Sequence, residues 1–170
     1  MREEKIALLA GLYSLAMILG ALFFQYVMSV PPCEMCHWQR WPHDVAIFIG
    51  LGSALMFHFR IIDRSSMRML VFVTLAAILV TAFIGAWQAG VEWRWWPGPS
   101  SCTGPRFQLT QAMNLNAPVV SCDNPQWTLL GISLAGYNFL CSTTVVVLGA
   151  LLLLKKIRLP VPFLDRWANA

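Results

Sequence analysis

The stretch "LVFVTLAAILVTAFIGAWQAGV", Leu70–Val91, contains no charged side chain over 22 consecutive residues. A helix rises about 1.5 Å per residue, so a helix of this length can cross a hydrocarbon core of roughly 30 Å. We therefore predict a transmembrane helix over this stretch. Comparable apolar stretches lie on either side of it in the sequence, so the same argument applies along the chain and determines the fold class.

Three further apolar stretches accompany it. Ile6–Met28 and Leu129–Leu154 carry no charge, and Val45–Phe59 is shorter. The span of this short stretch reaches back to Pro42, since proline suits the first turn of a helix. We predict one membrane domain over residues 1–170, with helices at about residues 6–28, 42–59, 70–91 and 129–154.

The composition agrees with a membrane protein. Hydrophobic residues make up 58% of the 170 residues and charged residues only 12%, whereas soluble domains carry about 25% charged residues. So few charges cannot cover a soluble surface of this size. The first apolar stretch, Ile6–Met28, is longer than the core of a signal peptide, which is about 7–15 residues, so we predict an uncleaved first helix. The fold class is an all-α membrane protein, a bundle of four transmembrane helices.

Lysine and arginine predict the orientation of the bundle. Nine of the 12 basic residues fall outside the helices on one side of the predicted membrane, and the other three fall on the opposite side. The positive-inside rule places the nine, and both termini with them, in the cytoplasm. The net charge of +4 is then a signal of topology and requires no nucleic acid as a partner. The two loops at about residues 29–41 and 92–128 face outward. The nine are Arg2, Lys5, Arg60, Arg64, Arg68, Lys155, Lys156, Arg158 and Arg166, and the three are Arg40, Arg94 and Arg106.

Four of the five cysteines lie in the outer loops. Cys33 and Cys36 precede the second helix, and Cys102 and Cys122 lie in the long second loop. Disulfides persist in the oxidising compartments outside the cytoplasm, so this distribution predicts disulfide chemistry. Cys141 falls inside the fourth helix, where we predict that it packs as an apolar residue.

The motif "CEMCH", Cys33–His37, admits several interpretations. C-x-x-C-H is the attachment signature of a c-type haem, but a loop of about a dozen residues offers little enclosure for a macrocycle. A haem carrier would also leave Cys102 and Cys122 without a role. Zinc prefers two closely spaced pairs of ligands, and this second pair is twenty residues apart, so we predict no metal site. A membrane scaffold with two static disulfides is the remaining alternative.

A redox role explains all four loop cysteines. C-x-x-C is the spacing of dithiols that cycle, because one cysteine can attack and the other resolve. The long loop that holds Cys102 and Cys122 can reach a soluble protein, whereas Cys33 and Cys36 lie at the hydrocarbon boundary. A dithiol at that depth can meet a lipid-soluble oxidant such as a quinone. Electrons could pass between the two pairs by thiol–disulfide exchange.

Arg40 follows Cys36 by four residues. If the second helix begins near Cys36, the two residues share a face. The guanidinium would then favour a thiolate and stabilise a negative oxygen on a quinone. The alternative is an interfacial arginine that extends to lipid phosphates.

Other polar and aromatic residues near the outer boundary have structural explanations. Trp93 and its neighbours Trp95 and Trp96 suit an aromatic belt at the membrane surface, and the alternative is that they form a wall of a quinone site. His37 and His43 are predicted to be interfacial polar residues. Gln88, near the outer end of the third helix, is predicted to hydrogen-bond a neighbouring side chain, and the alternative partner is a quinone carbonyl.

Three segments resemble the disulfide bond formation protein B family, DsbB. They are "CEMCHWQR" (33–40), "GVEWRWWPGPSSC" (90–102) and "SCDNPQWTLLGISLAGYN" (121–138). The resemblance covers nearly the whole chain. It implies a thiol oxidase of the bacterial inner membrane that reoxidises a periplasmic disulfide donor of the thioredoxin fold, DsbA. Its electron acceptor would be a membrane quinone, ubiquinone or menaquinone.

The resemblance also implies roles for individual residues. Cys102 is similar to the cysteine attacked by the donor, and Cys122 is its partner. Cys33 and Cys36 resemble the pair that reduces quinone, with Cys36 nearest the ring. Arg40 resembles the arginine of the quinone site.

One position departs from the family pattern. In the best-known members, a histidine near the quinone follows the residue equivalent to Glu92. Here that position is Trp93. The resemblance places both residues in the quinone site, without the hydrogen bond or proton transfer that a histidine would supply.

Overall fold

Four long helices dominate the computed structural model, which describes residues 2–103 and 120–154. They pack in chain order, α1 on α2, α2 on α3 and α3 on α4, and α1 also lies against α3 and α4. A two-stranded antiparallel hairpin precedes the last helix. The elements are α1 (Arg2–Tyr26), α2 (Glu34–His58), α3 (Arg64–Glu92), β1 (Thr128–Leu129), β2 (Ile132–Ser133) and α4 (Leu134–Leu153).

Within the described ranges, three helices are long and apolar enough to cross a membrane, namely α1, α3 and α4. The prediction of long apolar helices in these three regions is therefore confirmed. The second helix is 25 residues long, but its first eleven residues include Glu34, Arg40 and Asp44. The prediction of a fourth span is therefore not confirmed by length and composition.

The predicted start of the second helix, residue 42, is wrong. The helix begins at Glu34, where Cys33 is its N-cap and the sulfur of Cys33 accepts a hydrogen bond from the backbone N–H of Cys36. Pro42 lies inside the helix. A membrane helix tolerates an internal proline when neighbouring groups satisfy the backbone. As a result, Cys36 and Arg40 lie one turn apart on the same helix.

The fourth helix begins at Leu134, five residues later than predicted. Leu130 (φ 51°) and Gly131 (φ 78°) adopt left-handed backbone conformations, which a right-handed helix cannot include. Two such residues form the tight turn that joins β1 to β2. Ser133 then caps α4 by accepting a hydrogen bond from the backbone N–H of Gly136.

The third helix begins at Arg64, six residues before the predicted start. Asp63 is its N-cap and accepts hydrogen bonds from the backbone N–H groups of Ser65 and Ser66. The pKa of the Asp63 carboxyl is lowered mainly by a hydrogen bond from the Ser66 hydroxyl and, to a smaller extent, by those two backbone hydrogen bonds. The cap thus extends the helix into a polar segment that the apolar pattern did not include.

The two ends of the bundle differ in chemistry. At one end, Glu3 pairs with Arg64 at 3.3 Å between Oε2 and Nη2, and Glu4 contacts His58 at 3.4 Å. The loop cysteines lie at the opposite end, after α1, before α2 and after α3. This arrangement agrees with the predicted separation of basic residues from cysteines. Five residues used in that prediction lie outside the described residues: Arg106, Lys155, Lys156, Arg158 and Arg166.

Small residues let α1 and α2 approach closely. A Cβ atom built on Gly50 would lie 2.9 Å from the carbonyl oxygen of Ala7 and 3.1 Å from Cα of Gly11. Contacts of this kind are typical of helix pairs in membranes, where packing drives association. Gly52, two residues further on, would meet nothing within 4 Å.

We expect Gly50→Ala to lower the melting temperature of the purified protein in detergent. The added methyl group would press on backbone atoms, and overpacking of this kind costs about 1–3 kcal/mol. Gly52→Ala is the matched control on the same helix and should leave the melting temperature unchanged or raise it, because alanine favours helix by about 1 kcal/mol over glycine. Circular dichroism during heating measures both. Equal melting temperatures for the two variants would contradict the close contact.

Candidate functional site

The first cysteine pair forms a disulfide at the start of α2. Cys33 and Cys36 are bonded, with 5.0 Å between their Cα atoms. The sulfur of Cys33 accepts the backbone N–H of Cys36 at 3.1 Å, so the disulfide itself caps the helix. The positive end of the helix dipole lies at this sulfur, where it favours negative charge.

The second pair is also a disulfide, and it is buried. Cys102 and Cys122 are bonded, with 5.5 Å between Cα atoms, and only 2% and 1% of their surfaces are exposed. The backbone N–H of Cys122 donates to the carbonyl of Cys102 at 3.0 Å, and the hydroxyl of Ser121 donates to the same carbonyl. The long loop was predicted to reach a soluble protein, and its residues 104–119 lie outside the described residues.

The two disulfides belong to one packed cluster. Cys33, Met35, Cys102 and Cys122 form its buried centre. Three partly buried residues pack around that centre: Cys36, Trp38 and Val120. Once one of the two pairs is reduced, its thiolate could attack the neighbouring disulfide, and two electrons would pass from the reduced pair to the other.

A cavity of about 300 Å³ opens beside the first disulfide. Its volume is at the lower limit for small-molecule sites, which are typically apolar clefts with a few polar groups that fix orientation. Its lining combines apolar side chains with a set of polar ones. The apolar residues include Ala16, Met17, Ala21, Phe24 and Trp127, and the other lining residues include Cys33, Cys36, Gln39, Arg40, His43, Gln88, Glu92 and Asn138.

Two of the three residues predicted to bind a cofactor line this cavity. Arg40 does so while its Nη1 donates to Oε1 of Gln25 on α1 at 2.6 Å. Glu92 lines it as well, and its Oε1 accepts a hydrogen bond from Gln88. Trp93 is not among the described residues that line the cavity. Its ring is half exposed and packs on Trp95, with 4.9 Å between ring centroids.

His43 is not the interfacial residue that the sequence predicted. It is buried, with 3% of its surface exposed. Its Nδ1 lies 3.2 Å from the hydroxyl of Ser14, and its Nε2 lies 3.0 Å from Oδ1 of Asn138. The prediction for Gln88 is confirmed, since it hydrogen-bonds Gln39 and Glu92.

Gln39 and Asn138 had no predicted role. Both are buried, and Asn138 contacts the side chains of Gln39 and His43. A polar side chain in an otherwise apolar membrane helix usually faces the bundle interior and has a function. Asn138 lies within the apolar stretch of the fourth helix and could have been identified in this way. Asn138 and Ser142 are four residues apart, as are Gln39 and His43 on α2 and Gln88 and Glu92 on α3. This spacing places the two polar groups of each pair on one face of their helix.

Cys141 differs from its prediction. The structure shows a free cysteine that is exposed on α4 and lines the cavity, so it is not packed in the bundle interior. In a membrane this face would contact lipid or a molecule bound in the cavity.

The fold and site together define a helical membrane protein with two disulfides that pack in one cluster. The sequence comparisons identify its family. The model of the family described as "Disulfide bond formation protein DsbB" matches residues 3–152. This chain belongs to the DsbB family.

Two relatives illustrate the extent of the similarity. A "Disulfide bond formation protein B" of Polaromonas sp. is 26% identical over 163 residues, which cover 91% of this chain and 93% of the relative. "Disulfide bond formation protein B 1" of Pseudomonas fluorescens is 31% identical over 165 residues, 89% of each chain. No solved structure matches the chain significantly.

Family membership supports a membrane protein that forms disulfides as an oxidoreductase. The alternative of a c-type haem carrier gains no support, because Cys33 and Cys36 are bonded to each other and the matching family is named for disulfide formation.

The pairing of the cysteines predicts a simple labelling pattern. Without reductant, a membrane-permeant maleimide should modify one thiol per chain, that of Cys141, because the other four cysteines are disulfide-bonded. After reduction under denaturing conditions it should modify all five. Intact mass spectrometry counts the modifications, and Cys141→Ser should give none without reductant. Peptide mapping that linked Cys33 or Cys36 to the second loop would contradict the pairing.

Proposed function

We propose that this protein is a thiol:quinone oxidoreductase that reoxidises a periplasmic, DsbA-like disulfide donor of the thioredoxin fold. The donor's dithiol is oxidised as Cys102–Cys122 is reduced. Cys33–Cys36 then reoxidises that pair, and its two electrons leave to a membrane quinone. The observation that carries the proposal is the packing of both disulfides into one cluster beside a cavity that Cys36 and Arg40 line.

Burial supports the order of electron flow. Cys33, Cys102 and Cys122 are each at most 3% exposed, whereas Cys36 is partly exposed and lines the cavity. Cys33 lines the cavity as well, but Cys36 is the more exposed of the two and is easier for a small oxidant to reach. This difference supports the proposal that Cys36 lies nearest the quinone. Because Cys102 is buried, the donor can attack it only after neighbouring residues move aside.

The cavity residues fit a quinone as the electron-accepting substrate. A quinone supplies an acceptor for two electrons and two protons when it is bound. Apolar side chains such as Phe24 and Trp127 would contact its ring and tail, and Arg40 would donate to a ring oxygen. The guanidinium is suited to this role because it stays charged and presents several donors. Either ubiquinone or menaquinone meets these requirements.

We propose an orientation in which the cysteine-bearing end of the bundle faces the periplasm and both termini lie in the cytoplasm. Five of the nine basic residues assigned to the cytoplasm are described, and they lie at the N-terminus of α1, in the α2–α3 connection and at the N-terminus of α3. We also propose that α2 spans the bacterial inner membrane with the other three helices, since it is 25 residues long and packs between α1 and α3.

Replacing the second pair should separate the two half-reactions. The double variant Cys102→Ser/Cys122→Ser should no longer oxidise a DsbA-like donor, because the donor has no disulfide to attack. Its Cys33–Cys36 pair, once reduced with a small dithiol, should still reduce added quinone, as followed by quinone absorbance. Full activity on the donor would show that the second pair is only structural, and loss of both activities in a folded variant would contradict two separable steps.

Arg40→Ala should raise the KM for quinone about tenfold or more, in line with the loss of a hydrogen bond to a charged group, and leave the KM for the donor within about twofold. The matched control is Arg94→Ala, an exposed arginine at the same end of the bundle. It should change neither KM, although it removes the same charge. Steady-state kinetics with each substrate varied in turn gives both constants. Equal effects of the two variants on quinone would remove Arg40 from the quinone site.

A further inference from the structure

A row of buried side-chain amides leads to the first disulfide. Nε2 of Gln88 lies 3.3 Å from the sulfur of Cys33 and 3.6 Å from that of Cys36. Behind it, Nε2 of Gln39 donates to Oε1 of Gln88 at 2.7 Å, and Nδ2 of Asn138 donates to Oε1 of Gln39 at 2.7 Å. The three amides come from α3, α2 and α4, and at most 7% of each residue is exposed.

The disulfide fixes the direction of this row. A disulfide sulfur has no hydrogen and can only accept, so the nitrogen of Gln88 must face it. The oxygen of Gln88 then faces Gln39, whose nitrogen must donate. By the same reasoning, Oε1 of Gln39 accepts a hydrogen bond from Nδ2 of Asn138. Oδ1 of Asn138 in turn accepts one from Nε2 of His43. All three amides therefore point their N–H groups towards the sulfurs.

Side contacts hold the amides in this direction. Nε2 of Gln88 also donates to Oε1 of Glu92 at 3.1 Å. Nδ2 of Asn138 donates to the hydroxyl of Thr81 at 2.9 Å, and the hydroxyl of Ser142 donates to Oδ1 of Asn138. Turning any amide around would break at least two buried hydrogen bonds, each costly in a medium of low polarity.

We propose that Gln88 is a catalytic residue that stabilises the negative sulfur formed when the Cys33–Cys36 disulfide opens, and that Gln39 and Asn138 are positioning residues that keep its N–H group aimed at the sulfurs. When a thiolate attacks one sulfur, a new S–S bond forms and the old one breaks. The leaving sulfur keeps the electron pair of the broken bond. Because Nε2 of Gln88 lies within reach of both sulfurs, either leaving group meets a donor. A hydrogen bond to a charged acceptor is stronger than one to a neutral sulfur, so Gln88 favours the reduced pair.

The test measures the equilibrium with glutathione, in which the disulfide and two reduced glutathiones yield the dithiol and one oxidised glutathione. The full-length chain is held in detergent under argon without added quinone, and the oxidation of each cysteine pair is read by differential alkylation and mass spectrometry. The physiological meaning of the result rests on the proposed function. The measurement itself needs neither a donor nor a quinone, so failure of that function would leave it interpretable.

We expect Gln88→Met to shift the equilibrium of Cys33–Cys36 about five- to tenfold towards the disulfide, the effect of one lost hydrogen bond to a charged sulfur. Alkylation of the reduced pair by iodoacetamide at fixed pH should slow by a similar factor, because the thiolate is the reacting form. Methionine is close to glutamine in size and lacks the N–H group. The equilibrium of Cys102–Cys122 in the same molecules should stay within twofold.

Thr74→Val is the matched control. Thr74 is fully buried on the same helix and donates to the carbonyl of Leu70 at 2.8 Å, but it lies fourteen residues, or about 21 Å, from Gln88 along the helix. It should leave both equilibria within twofold. An unchanged Cys33–Cys36 equilibrium in folded Gln88→Met, or an equal shift in Thr74→Val, would overturn the proposal.

Gln39→Met tests the row itself. It removes the donor that holds the oxygen of Gln88 away from the sulfurs, so we expect a smaller shift in the same direction. If Gln88→Met does not fold, as judged by its melting curve, the Cys33–Cys36 equilibrium of Gln39→Met decides whether the proposal holds. A shift towards the disulfide then supports the proposal, and an unchanged equilibrium overturns it.

Discussion

The bundle depends on hydrogen bonds between polar side chains that are buried among its helices. Asn138 on α4 is central to these hydrogen bonds, because its amide contacts side chains of both α2 and α3. His43 extends the connection to Ser14 on α1. Four helices are thus joined through one asparagine and one histidine. An unpaired polar group at this depth costs several kcal/mol, so this network favours a single arrangement of the helices over alternatives with similar apolar packing.

The same network links the fold to the chemistry. The sulfur of Cys33 caps α2 and also accepts from Gln88, so the Cys33–Cys36 disulfide takes part in the hydrogen bonds that position α2 and α3. A change in the redox state of this pair alters the acceptor at the end of the network. Redox chemistry and helix packing are therefore coupled through a few side chains.

Much of the architecture could be predicted from sequence because apolar stretches are local signals. Leu70–Val91 lies within α3, and the cysteine pairs follow from spacing and topology. The helix ends could not be predicted in this way, because they depend on specific groups. The sulfur of Cys33 starts α2 before Pro42, and the left-handed turn at Leu130 and Gly131 delays α4. The amide row was missed because its hydrogen bonds join residues up to 99 positions apart, a pairing that no single-sequence pattern reports.

The burial of Cys102 and Cys122 has a kinetic consequence. Small thiols are plentiful competitors for any oxidising disulfide, and each collision that they win would waste an oxidising equivalent. Burial slows attack by molecules that cannot rearrange the surrounding residues. A buried disulfide can therefore have a high reduction potential and still react slowly with small thiols. A dedicated protein partner can supply binding energy for that rearrangement, and a tripeptide cannot. Selectivity for the partner would then arise from the cost of exposing one sulfur, without a recognition pocket for a particular sequence.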